Sequence, residues 1–319
     1  MNSNFFLKRV AVLLSTYNGG HYIHDQLISL LNQNCNLRID IHIRDDGSTD
    51  ETLKIIESFL DGNSNIYLHK GRNVGVISSF LWLVDNVAGY DYYAFCDQDD
   101  VWEPLKIAAA IGKFSEIKKE TPQLYCSAFE YVDQDLGPID HFTSKTDLSI
   151  NNLLIENCAP GCTIVFNAAL RDTYSKLDLN NIAKRIVMHD WFFLLLARCN
   201  GEVLYDKNSY LLYRQHSNNV VGIKSGFVSI VKNRWAQFKK ERARVNHLLF
   251  LQISLLKEIC DVSPSSKTAR LVINSFVNSQ RSFYSRLKYL FMNDAVRVKR
   301  IKIADALLFN ILYLFGYYK

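Results

Sequence analysis

The chain has 319 residues, of which 48% are hydrophobic and 22% are charged. This composition excludes a largely disordered chain and suffices for one large domain or two smaller domains with buried cores. The net charge of +5 is distributed unevenly, because residues 1–223 carry 19 basic and 27 acidic side chains whereas residues 224–319 carry 18 basic and 5 acidic ones. The split predicts chemistry in the acidic part and docking onto an anionic partner in the basic part.

Strands and helices are predicted to alternate along the first hundred residues. Short apolar runs with β-branched residues predict the strands, and apolar residues at helical spacing predict the helices. Ser48 or Thr49 is the predicted cap of the second helix. This alternation is typical of an α/β fold with a mostly parallel sheet flanked by helices. The predicted strands cover residues 8–15, 37–44, 65–69 and 91–96, and the predicted helices cover 21–33, 49–59 and 76–86.

Further α/β elements follow before the character of the chain changes. The pattern predicts a helix over 103–119, a strand over 124–131, an apolar helix around "HDWFFLLLA" and a pair of strands ending in "YRQHSNN". From residue 229 onwards, cationic and apolar residues recur at helical spacing. We therefore predict that residues 1–225 form the domain that carries the chemistry and that residues 226–319 form a basic helical region.

The seven cysteines include no C-x-x-C pair, so we predict reduced thiols, as is typical of a cytosolic protein. The N-terminal segment lacks the pattern of a signal peptide. The nearest approach to a membrane span, residues 306–318, is too short to cross a bilayer. We therefore expect a cytoplasmic protein. Two interpretations of the basic region stay open, namely attachment to the inner face of the cytoplasmic membrane and packing on the rest of the chain.

Four polar loops follow the ends of the four predicted parallel strands. In open α/β sheets ligands bind beyond the carboxyl ends of the strands, so these loops are expected at one ligand-binding edge. Neither G-x-G-x-x-G nor G-x-x-x-x-G-K occurs, which excludes the ordinary dinucleotide fingerprint and the P-loop. The loops cover residues 16–20, 45–49, 71–75 and 97–100.

The acidic residues of these loops each allow two interpretations. Asp97 and Asp99 can both reach one hard cation, Mg²⁺ or Mn²⁺, that arrives with a diphosphate, or they form a solvated acidic turn. Asp45 and Asp46 either shape a turn before a helix or accept hydrogen bonds from a nucleobase or a ribose. Asn18 is either a turn former or a base contact.

Three residues later in the chain are further candidates. Asp190 stands at the start of an apolar helix, so it is either the N-cap of that helix or a general base at a dry site. Arg214 and His216 lie in or beside a polar loop after a strand. There, contact with a diphosphate or ligation of a metal competes with a structural role.

Six segments occur in an order that matches a known family. They are "VLLSTYNGGHYI", "IRDDGSTDET", "NVGVISSF", "FCDQDDVW", "HDWFF" and "YRQHSNN". Together they resemble the family 2 glycosyltransferases with the GT-A fold. The forms "DQDDVW" and "YRQHSNN" are most similar to bacterial rhamnosyltransferases of polysaccharide assembly. The resemblance covers residues 8–222, and the C-terminal hundred residues carry no motif that matches.

The resemblance implies an inverting, metal-dependent transfer of a sugar from a nucleoside diphosphate. Asp97 and Asp99 match the D-x-D pair, with Asp97 towards the ribose and the metal and Asp99 as the principal metal ligand. Asp190 matches the catalytic base, and His216 matches a position that helps to hold the metal. Gln98 departs from the Ala or Ser that is usual between the two acids, which leaves the donor pocket open. The implied nucleotide-sugar contacts are Thr16, Asn18, Asp46, Asn73, Gly75, Asp97 and Arg214.

The resemblance also implies the substrates. We expect L-rhamnose from dTDP-rhamnose as the donor, a glycan or lipid-linked oligosaccharide as the acceptor and Mn²⁺ or Mg²⁺ as the cofactor. The alternatives are a UDP-sugar donor on the same fold and a metal-dependent nucleotidyltransferase. No nucleic-acid partner is expected, because only the charge of the basic region points to one. A non-catalytic sugar-binding protein is disfavoured because Asp97, Asp99 and Asp190 are all present.

Overall fold

A computed structural model describes residues 8–114, 118, 120–142, 147–177, 181–216, 247–262, 265–298 and 303–316. The chain divides into two compact units, which are described separately. The first unit consists of Met1–Ser144, Ala159–Lys176 and Glu202–His216. The second consists of Lys145–Cys158, Leu177–Gly201 and Ser217–Lys319. The boundary at residue 225 stays a prediction.

The first unit is built on one mixed sheet, in which the described residues form nine strands. The strands are β1 (Arg9–Thr16), β2 (Arg38–Asp45), β3 (Ile66–Lys70), β4 (Tyr92–Cys96), β5 (Val101–Trp102), β6 (Gln123–Val132), β7 (Pro138–Phe142), β8 (Val165–Asn167) and β9 (Glu202–Arg214). Their order in the sheet is β3-β2-β1-β4-β8-β6-β9-β5, with β7 paired to β6. Strands β3, β2, β1 and β4 run parallel, β8 is antiparallel to both β4 and β6, and β6 is parallel to β9.

Helices accompany the sheet in the first unit and form most of the described part of the second unit. The first unit contains α1 (Ile23–Leu31), α2 (Thr52–Leu60), α3 (Val76–Asn86), α4 (Lys106–Phe114) and α6 (Ala168–Ser175). The second unit contains α5 (Ile150–Leu153), α7 (Ile182–Arg185), α8 (His189–Asn200), α9 (247–262), α10 (Lys267–Ser279), α11 (Phe283–Leu290) and α12 (Ile303–Leu314).

The centre of the sheet explains why the first strand reads as an unbroken apolar run. Residues 10–14 of β1 are completely buried, since β1 lies between β2 and β4 and is covered on both faces. A parallel strand covered on both faces has no solvent side, so its sequence shows no alternation. The predicted α/β fold and its parallel half-sheet are therefore confirmed, and α3 has the predicted bounds.

Two predicted elements differ from the structure. Helix α2 begins at Thr52, because Asp50 accepts a hydrogen bond from the amide of Thr52 at 3.1 Å and the chain before it remains a loop. The predicted strand pair after residue 201 is one strand, β9. Its register against β6 shifts between Ser127 and Ala128, and this irregularity accommodates polar residues 207–208, which read as a turn.

The second unit is organised around α8. Residues 192–197 are completely buried, and the indole of Trp191 donates to the carbonyl of Leu153 at 2.7 Å. The side chain of Gln252 on α9 accepts a hydrogen bond from the amide of Val187 at 2.9 Å, just before α8 begins. In the described ranges no helix is both long and apolar enough to cross a membrane. Residues 217–246, which include the first part (226–246) of the predicted basic region, lie outside the described residues.

Candidate active site

The four predicted loops lie together at the carboxyl edge of the parallel strands. The amide of Asp46 donates to the carbonyl of Thr16 at 2.8 Å, which joins the second loop to the first. The amide of Gly71 donates to the carbonyl of Asp45 at 2.9 Å, which joins the third loop to the second. The side chain of Gln98 joins the fourth loop to the first. The sheet topology therefore assembles one polar site, as the sequence predicted.

Asn18 shapes the first loop. Its backbone has a φ of 49°, a left-handed conformation that asparagine tolerates better than most residues. Its amide donates to the hydroxyl of Ser48 at 2.9 Å, and its side-chain oxygen accepts from the amide of Thr49 at 2.8 Å. Asn18 is therefore a turn former that also ties the first loop to the second.

Asp46 connects the second and third loops. It is buried beside Arg44, whose guanidinium donates to its carboxylate, and that carboxylate also accepts from the amides of Val74 and Gly75 at 2.9 Å each. Gly75 has a φ of 84°, in the region that favours glycine. Charge-assisted bonds of this kind are strong, so they hold the two loops in one arrangement. Arg44 was not predicted from the sequence, in which its only signal is its place beside an acidic pair at a strand end.

The third loop lies directly against the second. If Gly47 carried a Cβ atom, that atom would lie 3.1 Å from the backbone nitrogen of Asn73. The first unit therefore brings Asn73 and Gly75 next to Asp46, although they are far apart in sequence. Their contacts with a nucleotide stay predictions.

Gln98 holds the acidic loop against the first loop. Its side-chain oxygen accepts hydrogen bonds from the hydroxyl of Thr16 at 2.7 Å and from the amide of Tyr17 at 2.8 Å. Its side-chain nitrogen donates to the carbonyl of Tyr17 at 3.3 Å. The longer residue between the two acids thus has a structural consequence that alanine or serine could not reproduce.

Asp99 is paired with His216, as expected if both face one cation. The Nε2 atom of His216 lies 2.9 Å from a carboxylate oxygen of Asp99. The ring of Tyr22 stacks on the imidazole at a centroid distance of 4.7 Å. Tyr22, which precedes α1, therefore fixes the orientation of the imidazole, a role that our sequence reasoning missed.

The guanidinium of Arg214 bonds to protein groups in and around the acidic loop. Its guanidinium donates to the carbonyls of Asp99, at 3.0 Å, and of Gln134, and it pairs with Asp25 at 3.1 Å. It also lies over the ring of Tyr22, with its central carbon 4.9 Å from the ring centroid. The residue is 3% exposed. These contacts make Arg214 a positioning residue for the Asp99 loop, and direct contact with a diphosphate stays a prediction.

A group of possible metal ligands includes two residues of the acidic loop. Ligand atoms of Asp97, Asp100 and Cys162 lie within 4.8 Å of one another. Burial, together with the charges of Asp99 and Asp97, raises the pKa of Asp100 well above its usual value. The ammonium of Lys106, completely buried, donates to the carbonyl of Cys162 at 2.6 Å. Burial lowers the pKa of Lys106 to about 8 although the neighbouring acids oppose the shift.

The donor set of the acidic loop fits a hard divalent cation. In the described structure, one carboxylate oxygen of Asp100 is buried without a hydrogen-bond partner. Carboxylate oxygens are the ligands that suit Mg²⁺ and Mn²⁺. Burial raises the pKa of Cys162 well above its usual value, and a thiol sulfur is a softer ligand than Mg²⁺ or Mn²⁺ prefers. Cys162 and Lys106 had no signal in the sequence that pointed to this site.

Asp190 belongs to the second unit. Helix α8 begins at His189 with Met188 at the N-cap, so Asp190 lies in the first turn and the interpretation as N-cap is wrong. It is 6% exposed, and its carboxylate accepts from the amide of Trp191. A carboxylate in the first turn is stabilised by the helix dipole. Burial lowers the pKa of the adjacent His189 to about 3, so that imidazole is neutral.

A mixed sheet with polar loops at the carboxyl edge of its parallel strands is an α/β fold of the GT-A type. Residues 11–174 match the family described as Glycosyl transferase family 2, and the chain belongs to that family. It is 32% identical to the dTDP-rhamnosyl transferase RfbG of Shigella flexneri over 74% of this chain and 84% of that protein. It is also 25% identical to the putative teichuronic acid biosynthesis glycosyltransferase TuaG of Bacillus subtilis, over 72% of this chain and 84% of that protein.

Solved structures show the same fold. TarS of S. aureus in complex with UDP-GlcNAc aligns with a TM-score of 0.57 at 16% identity, over 98% of this chain and 89% of that one. The mannosyltransferase PcManGT of Pyrobaculum calidifontis, in complex with GDP-Man and Mn²⁺, aligns with a TM-score of 0.55 at 10% identity, over 98% and 86%. The predicted GT-A fold and the resemblance to glycosyltransferases are therefore confirmed, and the protein is a hexosyltransferase.

Proposed function

We propose that the protein is an inverting, metal-dependent glycosyltransferase that transfers L-rhamnose from dTDP-rhamnose to a glycan or lipid-linked oligosaccharide during cell-surface polysaccharide synthesis. The observation that carries this proposal is the assembly of all four loops of the family at one edge of the sheet. The similarity to the dTDP-rhamnosyl transferase of Shigella flexneri supports the choice of donor.

In this proposal each loop contacts a different part of the donor or supports a loop that does. Asp46, held by Arg44 and by the third loop, faces the pyrimidine, while Asn73 and Gly75 line the nucleotide. Thr16 and Asn18 line one side of the proposed nucleotide site. The hydrogen bond from Thr16 to Gln98 holds this side against the acidic loop. Because these groups are already bonded to one another, binding the donor requires little ordering of the site, and the donor is held in one orientation.

The proposed cation, Mn²⁺ or Mg²⁺, is held by Asp97, Asp99 and His216. When bound, it offsets the negative charge that collects on the leaving diphosphate. Arg214 and Tyr22 support this set, because Arg214 fixes the backbone of Asp99 and Tyr22 stacks on His216. The Mn²⁺ that accompanies the donor in the mannosyltransferase structure supports the choice of metal.

Asp190 is the proposed catalytic base. It takes the proton from an acceptor hydroxyl while that oxygen bonds to the anomeric carbon of the donor. The bond from this carbon to the diphosphate oxygen breaks, and the electron pair leaves with the nucleoside diphosphate. Attack from the side opposite the leaving group inverts the anomeric carbon. One displacement needs one base, unlike the carboxylate pair of a glycosidase.

A UDP-sugar donor is the second candidate. It is favoured by the structural similarity to TarS in complex with UDP-GlcNAc. Both candidates release a nucleoside diphosphate, whereas a nucleotidyltransferase would release pyrophosphate. The product therefore separates the glycosyltransferase chemistry from the phosphoryl-transfer alternative.

The test is the thermal stabilisation of the full chain by dTDP, UDP and GDP, with and without Mn²⁺. A ligand at about 100 times its Kd adds about 2.7 kcal/mol to the free energy of unfolding. We expect a shift with dTDP and Mn²⁺ that Asp99→Ala abolishes. Asp172→Ala is the matched control, since Asp172 is an exposed aspartate on α6 of the same unit. A thermal shift with UDP but not with dTDP would show that the donor is a UDP-sugar and not dTDP-rhamnose. The absence of a shift with any of the three nucleotides would refute the proposal.

A further inference from the structure

Helix α12 presents two apolar faces, only one of which is buried. Phe309, Leu312 and Tyr313 are 2%, 8% and 0% exposed. Leu307, Ile311 and Phe315, spaced four residues apart along α12 and its C-terminal end, are 61%, 55% and 67% exposed. Residues at this spacing share one side of a helix, so they form one exposed row, which we call the outer stripe.

The buried face fixes the orientation of α12 within the second unit. The ring of Tyr313 lies 5.3 Å from that of Tyr289 on α11 and 5.6 Å from that of Phe276 on α10. The guanidinium of Arg286 on α11 donates to the carbonyl of Leu314 at 2.8 Å, near the end of α12. Because these contacts anchor one side, the outer stripe cannot rotate into the core without breaking them.

The charge of the surrounding chain indicates what covers the outer stripe. Residues 224–319 carry 18 basic and 5 acidic side chains, so this part of the protein attracts anionic surfaces. On α11, which packs against α12, Lys288 is exposed and Tyr284 is 74% exposed. Exposed apolar residues on a helix within a strongly cationic segment are typical of an interfacial helix on anionic lipid.

The length of α12 decides whether it can cross a bilayer or lies in the plane of its surface. The 12 residues of α12 span about 18 Å, whereas the hydrocarbon core of a bilayer is about 30 Å thick. The helix therefore lies in the plane of the surface. In this orientation one apolar face of a short helix is enough, because that face enters only the boundary between the headgroups and the acyl chains.

We propose that the outer stripe of α12 docks the protein in the plane of an anionic lipid bilayer, with the cationic C-terminal region supplying the attraction to the headgroups. Membrane docking by the outer stripe is not part of the proposed function and does not depend on which donor the enzyme uses. It places the enzyme where a lipid-linked acceptor is held in the same plane.

The experiment is flotation of the full chain with vesicles of phosphatidylcholine, either alone or with about 30% phosphatidylglycerol. The wild type is expected to float with the anionic vesicles and not with the neutral ones. The double variant Leu307→Gln/Ile311→Gln is expected to lose at least about tenfold in partition, because it removes two apolar groups from the docking face. The melting temperature of the variant should match that of the wild type, since both residues are exposed.

The matched control is Val262→Gln/Leu271→Gln, which changes two exposed apolar residues on α9 and α10 of the same unit. It should float like the wild type. Failure of the wild type to float, or equal flotation of the two double variants, would overturn the proposal. So would a wild-type dimer that Leu307→Gln/Ile311→Gln dissociates without changing flotation. The nucleotide-induced thermal shift, measured on the same preparations, reports the donor site separately.

Discussion

Gln98 and Thr16 are joined by a hydrogen bond of 2.7 Å between the hydroxyl of Thr16 and the side-chain oxygen of Gln98. The same oxygen accepts the amide of Tyr17 at 2.8 Å. Gln98, which lies between Asp97 and Asp99, therefore connects the acidic loop to the loop that follows β1. Donor binding and metal binding are coupled through this side chain in the proposed function.

Replacing Gln98 by alanine should weaken donor binding. The variant Gln98→Ala removes both accepted hydrogen bonds and leaves the first loop without its attachment to the acidic loop. A loss of about 1 kcal/mol corresponds to an increase of about fivefold in the donor KM. Steady-state kinetics with varied donor measures it. Gln134→Ala is the control, because the side chain of Gln134 is exposed and only its backbone carbonyl contacts Arg214.

Gly19 should be coupled energetically to Gln98. A Cβ atom at Gly19 would lie 2.3 Å from the side-chain oxygen of Gln98, so Gly19→Ala forces that side chain away and breaks the same hydrogen bonds. The double variant should therefore cost little more than either single variant, with a coupling of about 1 kcal/mol. Urea unfolding of the four proteins measures this cycle. Strict additivity would show that the contact between the two residues has no energetic consequence.

Replacing Arg214 by lysine should disorganise the acidic loop. A lysine cannot bond the carbonyls of Asp99 and Gln134 and the carboxylate of Asp25 at once, since it lacks the planar fork of the guanidinium. We expect Arg214→Lys to lower the free energy of unfolding by about 2 kcal/mol, because the carbonyls of Asp99 and Gln134 lose a charged donor. It should also raise the Mn²⁺ concentration needed for half-maximal activity. Arg281→Lys, on an exposed turn of the second unit, should leave both quantities unchanged.

Acid should destabilise the protein through His42. Burial and the neighbouring His69 lower the pKa of His42 to about 4, so the folded protein keeps a neutral imidazole that bonds the hydroxyl of Tyr90 at 2.8 Å. The unfolded chain binds a proton at this residue near the ordinary histidine pKa of 6.5. The unfolded state therefore holds more protons between these two values, and stability falls as the pH drops through that window, by up to about 1.4 kcal/mol per pH unit.

The variant His42→Gln should reduce this slope in urea unfolding measured between pH 6.5 and pH 4.0. The control is His24→Gln, since the side chain of His24 is 62% exposed. An unchanged slope in His42→Gln would mean that other buried groups, such as His189, dominate the acid sensitivity.

Replacing Asp190 by asparagine should stop transfer without affecting donor binding. Asparagine keeps the size of the side chain and an acceptor for the amide of Trp191 but cannot take a proton. We expect kcat to fall by about 10² to 10⁴ while the thermal shift with dTDP and Mn²⁺ persists. Asp261→Asn, which alters an aspartate paired with Lys257 on α9, is the matched control and should retain activity. Full activity of Asp190→Asn would assign the base to another residue.

Several features of the site were predictable from local patterns alone. The apolar run of β1 and the polar loop after it follow from burial of a parallel strand on both faces. The carboxyl ends of adjacent parallel strands meet at one edge, so Thr16, Asp46, Gly75 and Asp97 were expected together. The start of α2 was predicted too early, because a cap at Ser48 and the turn made by Asp50 look alike in a sequence.

The sequence by itself determined the order of strands and helices, the polar loops and the family, because these depend on neighbouring residues and their spacing. Only the tertiary structure decided which side chains contact the acidic loop. Arg214 and His216 reach Asp99 because β9 pairs with β6 on the far side of the sheet from β1, across more than a hundred residues of chain. Lys106 lies in the site because α4 buries its first residue. No periodic pattern in the sequence predicts such contacts, because they arise where elements that are distant in the chain pack together.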